Sequence, residues 1–320
     1  MRSARLATED VPGMAEAPEG RHPGSALLPT AAALTGFAAN SLLCRAALAT
    51  DTIDPWSFTA VRLASGALTL FLLSRAAARG RPRARSGSWA SALALFGYAA
   101  AFSLAYVRVG AGVGALTLFA SVQATMIGWS AFRGQRPRAI EWLGLGIAMG
   151  GLVLLTRPGA VAPDPLGVGL MAIAGIAWGA YSLRGRRAVS PLAATADNFV
   201  RSVSFALLGL AIGAANVHFS ARGVVLACAS GAVASGLGYS LWYLALPRIS
   251  ATQAAMVQLV VPVLAAVAGI LILGEPASAR LAVSGALILG GVGMAVAPRR
   301  SGRRVAGPQA AAERGPVETP

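Results

Sequence analysis

The chain has 320 residues, of which 56% are hydrophobic and only 12% are charged. That charged share is about half the value typical of soluble domains, and so few polar groups could hardly cover a soluble surface. An ordinary soluble fold is therefore excluded. All 27 basic residues are Arg, and with 12 acidic residues they give a net charge of +15. The presence of only two cysteines excludes a disulfide scaffold.

Long stretches without any charged residue separate clusters of Arg along the chain. The longest stretches provide the ~20 residues that a helix needs to cross ~30 Å of hydrocarbon, and they lack the alternation of a porin-type barrel. The pattern predicts an all-α integral membrane protein with ten transmembrane helices. Their approximate ranges are 27–49, 55–74, 88–107, 110–132, 138–156, 165–184, 192–213, 223–245, 249–272 and 278–297.

The distribution of Arg predicts how these helices are oriented. If the N-terminus is cytoplasmic, 20 of the 27 Arg residues lie on the cytoplasmic side and 4 lie in outer loops. Basic residues accumulate on the cytoplasmic side of membrane proteins, so we expect both termini in the cytoplasm and a location in the bacterial inner membrane. The net charge is then explained by insertion. We expect the lipid bilayer, and no nucleic acid, as a partner.

The two halves of the chain resemble each other at an offset of 139–140 residues. AVRLASGAL (60–68) aligns with FVRSVSFAL (199–207), and FRGQ (132–135) aligns with ILGE (272–275). A repeat of five helices has an odd number of spans, so its second copy must be inverted in the membrane, as in many secondary transporters. The predicted organisation is a cytoplasmic tail (1–26), a first five-helix repeat (27–156), a periplasmic linker (157–164), a second five-helix repeat (165–297) and a disordered cytoplasmic tail (298–320).

Several segments resemble those of a known transporter family. Residues 38–73 are similar to the first two spans of the EamA-like branch of the drug/metabolite transporter superfamily, through Asn40, Arg45, Asp54-Pro55 and Arg62. GIAWGAYSLRGR (175–186) resembles the start of an EamA repeat, and 236–296 resembles its end. The resemblance implies a ten-helix inner-membrane carrier, a class in which many members export amino acids, metabolites or drugs.

Polar and ionisable side chains inside the predicted spans are costly, and they are therefore candidates for a substrate site. Arg62 either holds a substrate carboxylate or phosphate in a cavity, or snorkels outward, or pairs with Asp51 or Asp54. Arg201 lies one turn after Asp197, so the two form a structural ion pair unless Asp197 couples transport to protons. The candidate substrate-binding residues are Asn40, Arg45, Arg62, Gln123, Trp178, Tyr181, Arg201, Trp242, Tyr243, Gln253 and Gln258.

Several of these candidates also have a structural alternative. Arg45 lies near the outer end of its span, where it would serve equally well as an interfacial anchor. Amides such as Gln123 often join helices in lipid, and aromatic residues near span ends often form interfacial belts. Close helix packing is the role expected of Gly144, Gly146, Gly150, Gly285, Gly290 and Gly293.

The pattern as a whole favours a secondary transporter that exports a small metabolite, amino acid or drug-like compound by alternating access. An uptake carrier or a channel for a small anionic or zwitterionic solute is the alternative within the same class. An intramembrane enzyme is disfavoured, because the spans contain no HExxH motif and neither His lies within them. We expect no catalytic residue, metal or cofactor. The substrate, the coupling ion and the oligomeric state stay open.

Overall fold

The computed structural model describes residues 24–78, 86–134, 138–157, 162–185, 188–245 and 257–295. These residues form ten long helices, and the prediction of an all-helical protein is confirmed for this part of the chain. In chain order they are α1 (Gly24–Leu48), α2 (Pro55–Ala77), α3 (Trp89–Tyr106), α4 (Ala111–Phe132), α5 (Ala139–Thr156), α6 (Pro165–Gly185), α7 (Pro191–Ile212), α8 (Ala221–Ala245), α9 (Val260–Leu273) and α10 (Ala279–Ala295).

Seven of these helices, α1 to α6 and α8, have the length and apolar composition to cross a membrane. The helices α9 and α10 are apolar but shorter, and α7 contains both Asp197 and Arg201. The chain is thus a multi-pass membrane protein, whereas a count of ten spans stays a prediction.

Local sequence determines where several helices begin. Asp54 precedes α2 and accepts hydrogen bonds from the free amides of Trp56 and Ser57, while Pro55 occupies the first helical position. Ser88 and Ser220 cap α3 and α8 in the same way. Such caps satisfy amides that have no partner within the helix, so these boundaries follow from the sequence.

The helix α8 contains a π-helical segment, Ala229–Leu237, between α-helical turns. Gly231 in this segment lies so close to α2 that a Cβ there would overlap the backbone carbonyl of Arg62 and the hydroxyl of Ser65. π segments are rare and are often found at functional sites. This one brings the backbone of α8 directly against α2 at the position of Arg62.

The main helix contacts join the first five helices to the last five in matched pairs. α1 packs against α8 and α9, and α6 packs correspondingly against α3 and α4. α2 packs against α8 as α7 packs against α3, while α2 also packs against α7 and α5 against α10. When each of α1–α5 is exchanged for the corresponding helix of α6–α10, every contact in this set therefore becomes a contact of the same set.

Two glycines form the crossing of α5 and α10. A Cβ on Gly144 would overlap the carbonyl of Gly291, and a Cβ on Gly291 would overlap that of Gly144. The expectation of close packing is correct for Gly144 but wrong for its neighbours on the other faces of the two helices. For Gly146, Gly150 and Gly290, no atom of the described residues outside the glycine's own stretch of helix lies within 4 Å of an added Cβ.

The loops that follow α1, α3, α5 and α7 meet at one end of the molecule, here named the odd-loop end. Arg45 at the end of α1 donates from Nη1 to the Tyr106 carbonyl (2.7 Å) at the end of α3. Arg108 after α3 forms an ion pair of 2.9 Å with Asp164, which precedes α6. An antiparallel bridge joins the loops after α1 and α7. Because α1 ends where α6 begins, these two helices run in opposite directions.

Candidate functional site

A cavity lies near the middle of the helices, between α1, α3, α4, α6, α8 and α9. Its free volume is about 50 Å³. Six aromatic side chains and four further uncharged polar side chains form most of its described wall. The aromatic residues are Phe37, Tyr98, Phe102, Phe119, Trp178 and Tyr239, and the polar residues are Asn40, Ser41, Ser235 and Gln258. Both halves of the chain contribute, so relative movement of the halves would change the cavity.

Tyr98 is the centre of the polar part of the wall. Its phenol oxygen accepts hydrogen bonds from Arg62 Nη2 (3.1 Å) and from Asn40 Nδ2 (3.5 Å). The Asn40 carbonyl oxygen in turn accepts from the Ser230 hydroxyl (2.6 Å) on the π segment of α8. The Trp178 ring packs on Tyr98 with centroids 4.9 Å apart. This network fixes Asn40 and Tyr98, so the cavity wall is preorganised.

Arg62 lies behind this wall, fully buried at 2% exposure. Its guanidinium carbon is 5.2 Å from the ring centroid of Tyr98 and 5.0 Å from that of Phe102, a cation–π geometry. Its Nε and Nη1 atoms have no hydrogen-bond partner in the described part of the chain. Among the described residues, no carboxylate forms an ion pair with Arg62. In this conformation Arg62 therefore neither lines the cavity nor snorkels outward.

The two acids considered as partners of Arg62 have other roles at the odd-loop end. Asp54 caps α2 and accepts the His218 amide at Oδ2 (3.1 Å), while Asp51 lies 3.0 Å from the His218 ring. Both therefore stabilise the contact between the loops after α1 and α7.

A second group of contacts, here named the clasp, closes the odd-loop end around Glu275. Both carboxylate oxygens of Glu275 lie 2.9 Å from the amide of Ala111, and Oε1 also accepts from Arg45 Nε (3.3 Å). Arg45 lies one turn beyond Ser41, which lines the cavity. The clasp therefore joins α1 and α4 of the first half to the end of α9. The alignment of ILGE (272–275) with FRGQ (132–135) was the signal in the sequence at this position.

The expected ion pair between Asp197 and Arg201 is absent, although both residues are described. Asp197 instead accepts hydrogen bonds from the amides of Ser86 (3.0 Å) and Gly87 (3.4 Å), just before α3. Arg201 lies over the Trp89 ring with its guanidinium carbon 5.9 Å from the centroid. The partners of Asp197 thus include the backbone amides before α3, while Arg201 faces an aromatic ring. Asp197 joins the two halves at the end opposite to the clasp.

The other sequence-predicted residues fall into three groups. Asn40, Trp178 and Gln258 line the cavity. Tyr181 and Tyr243 both hydrogen-bond Thr195, at 3.4 and 2.7 Å, and so hold α6, α7 and α8 together. Trp242 packs against Phe37 and Gln123 is half-buried on α4, and neither lines the cavity. Gln253 lies outside the described residues.

Sequence reasoning missed most of the aromatic wall, including Tyr98, Phe102 and Tyr239. The available signal was the spacing of Tyr98, Phe102 and Tyr106, which places three rings on one face of α3. In the part of the chain that the structure describes, no group of three His, Cys, Asp or Glu residues could hold a metal.

Comparison with protein families identifies the fold. A model described as the EamA-like transporter family matches residues 24–157 and, a second time, residues 165–297. The chain belongs to the EamA-like transporter family. The two EamA segments contain α1–α5 and α6–α10, so the sequence repeat corresponds to the two halves that pack in matched pairs.

Two further similarities extend over most of this EamA protein. It is 50% identical over 273 residues to the uncharacterized protein PA1977 of Pseudomonas aeruginosa, covering 85% of this chain and 95% of that protein. One solved crystal structure of a protein has the same fold, with a TM-score of 0.61 at 20% identity, covering 84% of this chain and 98% of the other.

Proposed function

We propose that this EamA-like protein is a secondary transporter that exports a small metabolite, amino acid or drug-like compound across the bacterial inner membrane by alternating access. The observation that carries the proposal is the position of the cavity. It lies between the two family repeats near mid-length of the helices, where substrate sites of repeat-built transporters are found. ATP is not expected to drive transport directly, because a chain without Lys has no P-loop.

The arrangement of the helices supports an inverted repeat. α1 and α6 begin the two repeats and run in opposite directions, and the helix contacts correspond pairwise between the halves. Inversion makes the two ends of the molecule structurally similar, so the same movement can open either end.

Contacts between the halves at both ends support alternating access. Glu275 joins the halves at the odd-loop end through Ala111 and Arg45. Asp197 joins them at the other end through the amides of Ser86 and Gly87. If the contacts at one end broke while those at the other end stayed intact, the cavity would open to one side of the membrane only.

The size of the cavity also requires movement. Its free volume of about 50 Å³ has room for a few water molecules, whereas ligand sites usually measure ~300–1,000 Å³. A metabolite would therefore enter only after the halves separate. We infer that the structure represents a nearly closed state of the transport cycle.

An unbiased profile of metabolites in the growth medium tests the proposal. Cells that express the protein should accumulate specific solutes in the medium, and Ser235→Trp, which fills the cavity, should abolish this accumulation. Ser204→Trp on the exposed face of α7 is the matched control and should leave it intact. Identical profiles with and without the protein would contradict export. Faster depletion of a solute from the medium would instead favour uptake.

A further inference from the structure

The charge of Arg62 is not neutralised by any described residue. Its guanidinium is buried, and among the described residues two of its three nitrogens have no hydrogen-bond partner and no carboxylate forms an ion pair with it. A buried guanidinium needs either an anion or a full set of acceptors to offset its loss of hydration. One phenol oxygen supplies only part of this requirement. The vicinity of Arg62 therefore has a positive potential.

This potential extends into the cavity. The guanidinium of Arg62 lies over the rings of Tyr98 and Phe102, which both line the cavity, and none of the described lining residues is an Asp or Glu. Apolar surroundings screen a charge much less than water does. A negatively charged group in the cavity would therefore be attracted, and a positively charged group would be repelled.

Tyr98 carries this preference to the ligand. Its oxygen already accepts from Arg62 and Asn40, and no described residue accepts its hydroxyl hydrogen. The hydroxyl is therefore free to donate to a ligand, and a donor polarised by a neighbouring cation forms a stronger hydrogen bond. A carboxylate is the matching acceptor for such a donor.

The aromatic lining does not reverse this preference. Aromatic walls often bind organic cations, because the faces of the rings are negative. Here the rings of Tyr98 and Phe102 already interact with the cation of Arg62. The other rings of the lining, such as Trp178 and Tyr239, provide apolar surface for the body of a ligand.

We propose that the cavity selects organic carboxylates with an apolar body, and that Arg62 is the positioning residue that sets this charge preference through Tyr98. The inference rests on the transport function proposed above. It adds the charge and the shape class of the substrate.

Three probes with the same phenyl ring and three-carbon chain but different charge test the inference: 3-phenylpropionate, 3-phenylpropionamide and 3-phenylpropylamine. Binding to the purified full-length protein in detergent is measured by tryptophan fluorescence and by thermal shift. We expect the acid to bind at least about tenfold more tightly than the amide, as one charge-assisted hydrogen bond predicts, and the amine to bind most weakly. Equal binding of the three probes, tighter binding of the amine, or binding of none would overturn the inference.

Variants of Arg62 separate charge from packing. R62M should remove the preference for the acid over the amide, whereas R62K, which keeps the charge, should retain most of it. R75M is the matched control, since Arg75 is an exposed Arg on the same helix. An unchanged preference in R62M would overturn the role of Arg62. If size-exclusion chromatography shows that R62M does not fold, the inference is tested by the order in which the three probes bind to the wild type and to R62K.

The medium profile distinguishes this inference from the transport proposal. Exported solutes that are neutral or cationic at pH 7 would leave transport intact and would refute anion selection. A wild-type profile without any change would refute transport itself.

Discussion

Asp54 shows how much a single side chain contributes at the odd-loop end. It caps α2 with Oδ1 and holds the His218 amide with Oδ2, while its own amide donates to the His218 carbonyl (3.0 Å). A helix cap alone is worth ~1 kcal/mol. The same residue therefore starts α2 and connects the loops of two different repeats.

His218 should make the stability of this loop contact depend on pH. The hydrogen bond from its ring to the Asn216 carbonyl and the nearby Asp51 and Asp54 carboxylates raise the pKa of His218 above its ordinary value of ~6.5. A raised pKa means that the folded state binds the proton more tightly, so this stabilisation is complete at low pH and is lost as pH rises through the pKa of the folded protein.

As the pH rises from about 6 to about 8, we expect the melting temperature of the purified wild-type protein to fall further than that of His218→Gln. Differential scanning fluorimetry in detergent measures it. The effect should be small, because the His218 and Asp51 side chains are largely exposed. Parallel pH curves for the two proteins would show that His218 does not contribute.

Arg62 and Tyr98 show what could be read about the site from the sequence. A charge inside an apolar span identifies Arg62 as a candidate, because burial of a charge is costly. The sequence does not reveal which ring lies beside it, since Tyr98 is 36 residues away on another helix. The position of Arg62 behind the wall depends on that partner, so only the packing of α2 against α3 determines it.

At the scale of helices, the sequence predicts boundaries well and contacts poorly. Stretches without charge located the ten helices to within a few residues for the described chain, apart from the start of α9, which falls at the edge of a range that is not described. The π segment of α8 was not predicted. It depends on the approach of Gly231 to α2, which no local pattern records.

The crossing of α5 and α10 offers a direct test with two adjacent glycines. Gly291→Ala should lower the melting temperature, because its Cβ would overlap the backbone of α5 at Gly144 and Ala148. Gly290→Ala places the same methyl group in open space and should leave the melting temperature equal or slightly higher, since Ala favours helices over Gly. A loss of stability only in Gly290→Ala would contradict the packing of these helices.

At the scale of the whole molecule, the clasp should control access to the cavity from the odd-loop end. Glu275→Ala removes both its hydrogen bonds to Ala111 and its ion pair with Arg45. The reporter is Ser235→Cys in the cavity, in a protein whose Cys44 and Cys228 are replaced by Ala. We expect a membrane-impermeant maleimide added outside whole cells to label this cysteine several-fold faster when Glu275→Ala is also present.

Glu141→Ala is the control for this experiment, because the ion pair of Glu141 with Arg138 (2.8 Å) lies at the start of α5 and joins no second helix. Labelling that is equally fast in both variants would show that the clasp does not close the cavity.

The proposed orientation of the molecule can be tested with two single cysteines in a background without Cys44 and Cys228. Val189 is fully exposed in the loop after α6, and Asn216 is exposed in the loop after α7. The excess of Arg predicts that Val189→Cys is labelled only from the cytoplasm and Asn216→Cys only from outside. The reverse pattern would invert the topology.

The unneutralised guanidinium of Arg62 also bears on the source of energy for transport. An anion bound beside it would leave the loaded centre of the carrier close to neutral, whereas the empty carrier would hold a net positive charge among its helices. A membrane potential of ~100 mV, negative inside, favours outward movement of one negative charge by ~2.3 kcal/mol. The voltage alone would therefore be sufficient to expel an organic anion without a coupling ion. In proteoliposomes with valinomycin and a potassium gradient, efflux should slow when the imposed voltage is reversed, and efflux indifferent to voltage would require a co-transported ion.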